Sequence, residues 1–406
     1  MKKLIFCISI IAFMQIISLD LRAQNKVSYE LGNGINFGLN DGAYQFKISG
    51  MIQPAVSFQK LSSQQSPDLY YNVNRTYFNF SGSALNEKVS FFLQTDFSLG
   101  FPLLDAWIAY KPMKNLILTV GQMQSVSNNR EMLVMEDKLQ FVDRSLLSTS
   151  FSQTGREFGV FASQKISFGK IGIVAQVSVT SGDGRNSFGA DSRDTDLGGL
   201  KYAGRIDLYP LGYFSKGNEN MIPDLLHEQD LKFVLGGAAS YNTGVSNSVG
   251  EGHGDFQFYN VNGGIKLPDY RKLYGDILVK FRGISVLGEI VKATATNLDG
   301  SYTAASLSSP LLPTQISEFL ALGSAYNVQI GYATKDGYAL DIRYDALTPE
   351  FANDTNSKIK NTTATTIGFS KYFKANNLKM QASVSSLKYA DNSNMLVGSL
   401  IFQVVF

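Results

Sequence analysis

Cysteine is nearly missing from the 406-residue chain: the single one, Cys7, sits close to the N-terminus. Everything beyond that segment is therefore without disulfides, thiol chemistry or thiolate metal sites. Histidine is almost as scarce, limited to His227 and His253. Neither falls on an alternating segment near a serine, which disfavours a Ser–His hydrolase built into a sheet wall; no enzyme and no cofactor are expected. There is one tryptophan, and prolines number only 10. After the first 23 residues no apolar run approaches the roughly 20 residues that a membrane helix requires. No repeat of solenoid or propeller type is visible.

A surplus of charge is missing too. The chain has 36 Lys+Arg against 34 Asp+Glu, and setting aside Lys2, Lys3, Arg22 and Asp20 leaves 33 of each. No global field selects nucleic acid or anions, so any charge selectivity is local.

The N-terminus begins with Lys2–Lys3, continues through an apolar run from Leu4 to Met14, and ends at Leu21–Arg22–Ala23–Gln24. A charged start, an apolar middle and a small residue at the end are the pattern of a secretory signal peptide. Residues 1–23 are read as that leader, with cleavage after Ala23. A retained membrane helix fits less well, because Gln15 interrupts the run and Asp20 and Arg22 flank it. Residues 24–43, polar and rich in Gly and Asn, read as a periplasmic lead-in without clear periodicity.

What the chain has in abundance is Tyr, Phe and Gly in segments of period two. The last one, Met395–Phe406, puts Leu396, Gly398, Leu400, Phe402, Val404 and Phe406 on one side and Ser399 and Gln403 on the other. Side chains alternate in this way along a strand. The stretch looks like the closing strand of a bacterial outer-membrane β-barrel, whose chains typically end in Phe. Residues 44–406 are read as one such domain: all-β, a transmembrane antiparallel barrel of about 16 strands, with 18 as the alternative count. Strands alternating over about 10 residues, short periplasmic turns and longer outer loops are the marks of such barrels. The tight turns near Asn86 and at 111–115, 169–170, 282–283, 335–337 and 374–377 all fall on one end if 242–272 is a single outer loop. That holds even though Phe256–Val261 alternates like a strand.

The segment Gly121–Val160 is the most informative interior stretch. As the third outer loop it is expected to fold inward and narrow the lumen. It carries Arg130, Glu131, Glu136, Asp137, Lys138, Asp143 and Arg144, with Arg156 at its exit. Both signs in a confined site either orient a solute or pair with each other and the wall to hold the loop down. Asp191, Asp194 and Asp196 lie in a Gly-rich stretch that reads as a solvated loop, although such carboxylates can bind calcium. Trp107 shares inward parity with Asp105, where it either stacks on a solute or packs beneath the loop.

Phe141–Ser145, Phe151 and Thr154–Val160 together resemble the inner-loop region of the phosphate-selective porin O/P family. Phe46–Gln53 is similar to that family's first strand, Leu104–Tyr110 and Val120–Gln122 to its fourth and fifth, and Gly275–Glu289 to a later hairpin. The resemblance runs from about residue 44 to the end. It implies a 16-stranded porin, commonly a homotrimer, that passes small anions such as phosphate through an arginine- and lysine-lined lumen. Where the family has an Arg pair in the second strand this chain has Asn74–Arg75, and its inward charges are mixed.

The expected function is passive diffusion of small solutes or anions across the outer membrane of a Gram-negative bacterium, in contact with its lipid and with no nucleic acid partner. Arg75, Arg130, Arg144, Arg156, Arg205 and Arg343 are the candidate residues for pore constriction and anion attraction, because guanidinium groups present planar donors suited to oxyanions. The alternative is a plugged or scaffold barrel working with a secretion or adhesion machine.

Overall fold

A computed structural model describes residues 26–40, 43–185, 198–252, 254–304, 309–351 and 356–406. The leader read at 1–23, the calcium candidates Asp191, Asp194 and Asp196, and His253 all lie outside these residues.

Two short strands, β1 (Lys26–Glu30) and β2 (Gly34–Leu39), come first. Then follow β3 (Tyr44–Leu61), β4 (Asp68–Ala84), β5 (Val89–Asp96), β6 (Leu103–Met113), β7 (Leu116–Gln124) and β8 (Arg156–Phe168). The middle of the chain supplies β9 (Ile171–Thr180), β10 (Lys201–Tyr209), β11 (Lys232–Asn242), β12 (Asp269–Phe281) and β13 (Ile284–Thr296). Last come β14 (Gly323–Ala333), β15 (Tyr338–Pro349), β16 (Thr362–Lys374), β17 (Leu378–Tyr389) and β18 (Asn394–Val405). Each strand from β3 to β18 pairs antiparallel with the next, and β18 pairs with β3, so sixteen strands close into a barrel. The count read from alternation is the observed one. Phe256–Val261 forms no strand; Tyr259 makes only single bridges, to Ile265 and Tyr302.

Closure is completed at the last residue. The Phe406 N–H donates to Gly50 O at 2.9 Å and Gly50 N–H donates to Phe406 O at 2.7 Å. The parity of β18 is as its alternation indicates: Phe402 and Phe406 are exposed on the outside, whereas Gln403, Ile401 and Val405 are buried inside. Across the outer surface one cross-strand row runs Ile108, Val120, Val160, Val179 and Tyr202, all of them exposed. A sheet with an apolar outer face and no free edge is the form in which strands can cross hydrocarbon.

Two features depart from the sequence reading. The lead-in is not irregular: β1 and β2 form a hairpin that pairs with Tyr44–Ile48 of β3, below the level at which β18 meets that strand. Its turn docks on the closing strand through Gly32 N–H to Val405 O. Although Phe97 and Leu99 continue the alternation that begins at Val89, β5 stops at Asp96, whose carboxylate accepts the N–H groups of Thr76 and Ser98 and so begins a turn.

Deleting Phe406 removes two closing hydrogen bonds, which is expected to destabilise the barrel by roughly 2 kcal/mol. Refolded protein should show a lower urea midpoint and a reduced share of the heat-modifiable folded band on gels. An unchanged midpoint would mean that closure is complete without this residue.

Candidate functional site: the lumen and its inner loop

The inner wall of β10–β15 carries an acidic belt. One cross-strand row runs Asp207, Gly236, Asp276, Glu289, Asn327 and Asp345, so four carboxylates share a single level of the barrel. Such a row of buried like charges is tenable only with cations among them. Two of these come from the wall, Arg205 and Arg343, and one from the loop, Arg130.

Residues 125–155, between β7 and β8, reach strands of the inner wall from β10 and β12 to β16 and β17. Two short helices, Arg130–Leu133 and Leu146–Phe151, give the loop its shape, the second capped by Ser145, whose hydroxyl accepts the Ser148 N–H. Arg130 reaches Asp207 at 2.7 Å and also pairs with Asp276. Arg205 completes the cluster, with Asp276 at 2.6 Å and Asp207 at 2.9 Å. The two guanidinium groups fit against the wall because Gly236 has no side chain; a Cβ there would collide with both. Gln140 and Phe141 are seated in the same way over Gly331 and Gly368, and Gln140 donates to Asp341 at 2.6 Å.

Glu131 is the anchor of the loop's far side. Its carboxylate accepts Ser145 N–H at 2.8 Å and Gln329 Nε2 at 2.8 Å, with Arg343 at 3.6 Å, while its own N–H donates to Glu289 at 2.8 Å. Arg343 also donates to Asp143 O at 2.9 Å and stands 4.7 Å from the centre of the Phe141 ring. On the near side, Arg144 binds Glu136 at 2.7 Å, and Arg156 binds Asp105 at 2.9 Å and Gln94 at 3.2 Å. Burial alone would raise the Glu136 carboxyl, but Arg144, Arg156 and Arg75 pull it far below the usual range.

Five of the six candidate arginines, Arg130, Arg144, Arg156, Arg205 and Arg343, therefore lie against carboxylates. Arg75 differs: it donates to Gln53 at 2.9 Å and to Val142 O at 3.5 Å, and among the described residues no carboxylate pairs with it. It stands half-exposed beside the loop, and its neighbour Asn74 is an extra residue in β4, where the register with β3 shifts.

A second segment fills the lumen from the opposite end. The connection between β10 and β11, residues 210–231, places Phe214 and Ile222 in one apolar cluster with Val134 and Leu139 of the loop and Val234, Leu278 and Leu287 of the wall. Lys280 holds it by donating to Asn218 O at 2.6 Å and Met221 O at 2.8 Å. Sequence reasoning saw only a long connection here. Its signal was present in Phe214, Met221 and Ile222, unusual residues for a solvated turn. His227, off the alternating segments, lies in this connection at a positive φ of 53°.

The loop's exit is fixed from outside. Glu251, in the connection between β11 and β12, accepts the N–H groups of Gln153, Thr154 and Gly155 at 2.8, 3.2 and 2.9 Å and lies 3.4 Å from Lys272. Burial opposes its ionisation, but Lys272, Lys201 and these N–H groups outweigh burial and hold its carboxyl below the ordinary glutamate range.

No family model matches the sequence, and no curated protein matches it. Solved structures do. OprB of Pseudomonas putida superposes with a TM-score of 0.54 at 10% identity, over 90% of this chain and 94% of that one. OmpF of Salmonella typhi, in complex with daunomycin, gives 0.53 at 11% identity over 93% and 100%. The outer membrane channel DcaP of Acinetobacter baumannii gives 0.51 at 12% identity over 90% and 98%. At these identities the likeness is one of fold. With the apolar outer belt, it puts the barrel in the outer membrane of a Gram-negative cell.

Because the folded-state pKa of Glu251 is depressed, its contribution is complete above the unfolded value near 4.3 and is lost as pH falls through the folded value. Glu251→Gln is expected to weaken three charge-assisted bonds at neutral pH, together roughly 3 kcal/mol. Hydrogen exchange should then show about a hundredfold lower protection of the Gln153–Gly155 amides at pH 7, a loss wild type shows only in acid. Equal protection in both proteins at pH 7 would remove Glu251 from this role.

Proposed function

We propose that this barrel is a porin through which small polar solutes, anions such as phosphate among them, diffuse passively past the inner loop. The observation that supports it best is how charge is distributed around the loop. The wall of β10–β15 is acidic, yet Asp207, Asp276 and Asp345 face Arg130, Arg205 and Arg343, and Glu289 accepts hydrogen bonds from Asn129, Asn327 and the Glu131 N–H. That half of the lumen is packed by the loop and by residues 210–231. The side along β3–β6 keeps half-exposed polar residues, including Ser49, Arg75, Asn79 and Ser81. Arg75, with Lys138 of the loop and Lys47 below it, gives this side its cationic field. In this reading the other five arginines shape the constriction by holding the loop, and Arg75 attracts the anion. Family likeness in Phe141–Ser145 and Thr154–Val160 points the same way.

The filled half of the lumen favours a second reading, a barrel plugged by its own segments and used as a scaffold. Single-channel recording of refolded protein in a planar bilayer under a salt gradient separates the two. The porin reading expects small conductance steps with anion preference. Arg75→Glu should move the reversal potential towards cation selectivity without changing step size much. Arg130→Ala leaves Asp207 and Asp276 with one arginine, a cost of about 3–5 kcal/mol to the loop's seat, and should raise conductance several-fold without reversing selectivity. Silent wild-type barrels that open only when residues 130–148 are replaced by a flexible linker would establish the plug.

A further inference from the structure

Below the loop, on the open side, the β1–β2 hairpin enlarges the inner wall into a trough. A cavity of about 730 Å³ lies there. Two cross-strand rows make its floor. The first reads Ser28, Asn36, Lys47, Ser81, Phe92 and Trp107, one residue from each of β1 to β6. In the second, Lys26, Gly38, Gln45, Ser83 and Ser90 follow the same strands up to β5. All of these residues line the cavity, and among the described residues no Asp or Glu does.

Three kinds of chemistry meet in this floor. Phe92 and Trp107 form a tilted aromatic pair with ring centres 5.8 Å apart, a platform for an apolar face. The serines, Asn36 and Gln45 offer donors and acceptors together. Lys47, held by Asn33 Oδ1 at 2.7 Å, and Lys26 supply positive charge. Glu30 of the hairpin and Lys138 of the loop act on Lys47 with opposite signs. An inorganic anion needs neither the platform nor the acceptors. An aromatic carboxylate makes no use of the row of hydroxyls, and a neutral sugar makes none of the lysines.

We propose that the trough is a binding subsite for anionic sugars, monosaccharides or disaccharides that carry a carboxylate or a phosphate. The C–H face of the ring lies on Trp107 and Phe92, its hydroxyls exchange hydrogen bonds with Ser81, Ser83 and Ser90, and its anionic group turns to Lys47. Lys47 is two strands from Phe92, about 10 Å along the row, a span that one sugar ring and its charged substituent cover. The assignment names the solute class of the channel and rests on that reading, but binding is measurable without conduction.

Trp107 is the only tryptophan in the chain, so the site has its own reporter. Intrinsic fluorescence of the refolded full chain would be titrated with glucuronate, glucose, inorganic phosphate and benzoate. The expected result is a saturable change with glucuronate, at a concentration at least tenfold below that for glucose, and no comparable change with phosphate or benzoate. Lys47→Gln should abolish the preference for glucuronate over glucose while leaving the glucose response in place. No saturable response to glucuronate, an equal response to glucose in wild type, or a stronger one to benzoate would each overturn the proposal. A bound glucuronate with silent bilayers would instead keep the subsite and remove the channel.

Discussion

Everything in this molecule depends on the rule that a peptide group in hydrocarbon has no water to turn to. Each N–H and C=O of the wall must be satisfied by a neighbouring strand, and the last strand must therefore find the first. The chain meets that requirement between β18 and β3, down to the terminal Phe406, whose backbone pairs with Gly50 on both sides. Closure then dictates side-chain chemistry. With a period of two, every strand puts one row into lipid and the next into the lumen, so charge is excluded from half the positions and gathered in the other half.

That gathering creates the problem the inner loop solves. Asp207, Asp276, Glu289 and Asp345 fall on one cross-strand row by register, not by proximity in sequence. Left to themselves they would repel one another in a confined space. Arg205 and Arg343 of the wall and Arg130 of the loop are interleaved with them, and the loop is held by the same bonds that offset much of the belt's charge. Glycines at 236, 331 and 368 complete the seat by letting loop side chains approach the strands. The loop is thus bound by charge and shape together, and taking away a single partner leaves a buried ion unpaired rather than merely weakening a contact.

Much of this architecture was legible in the sequence. Alternation located the strands, turn residues located the hairpins, and the requirement of an even count gave sixteen. The identity of the third outer loop as the inward one followed from its length and its charges. What alternation does not contain is the partner of a charge. Arg130 and Asp276 are separated by 146 residues, and only the register of four intervening strands, β8 to β11, brings them together. The same holds for Gly236, an ordinary small residue until two guanidinium groups are seen against it. The β1–β2 hairpin escaped notice because strands of five and six residues carry too few apolar positions to show a period, and Gly and Asn surround them. Residues 210–231 escaped because the rule of short periplasmic turns discouraged reading an apolar plug into one.

The two segments that sequence reasoning missed are also the two that make the lumen asymmetric. Residues 210–231 add bulk against β11–β13, where the loop already lies, and the hairpin adds wall beside β3, where the loop leaves room. One half becomes a packed interior in which most charges are paired, and the other a polar surface that carries Lys47 and Arg75, with no salt bridge to either among the described residues. In the porin reading, a solute moving through the barrel meets mainly the field of the second half, because paired ions inside a packed cluster project little potential beyond it. Net charge of the chain, close to zero, is therefore no guide to selectivity. In that reading, what decides it is which side of the lumen stays open, and with it which few lysines and arginines are not tied up in salt bridges.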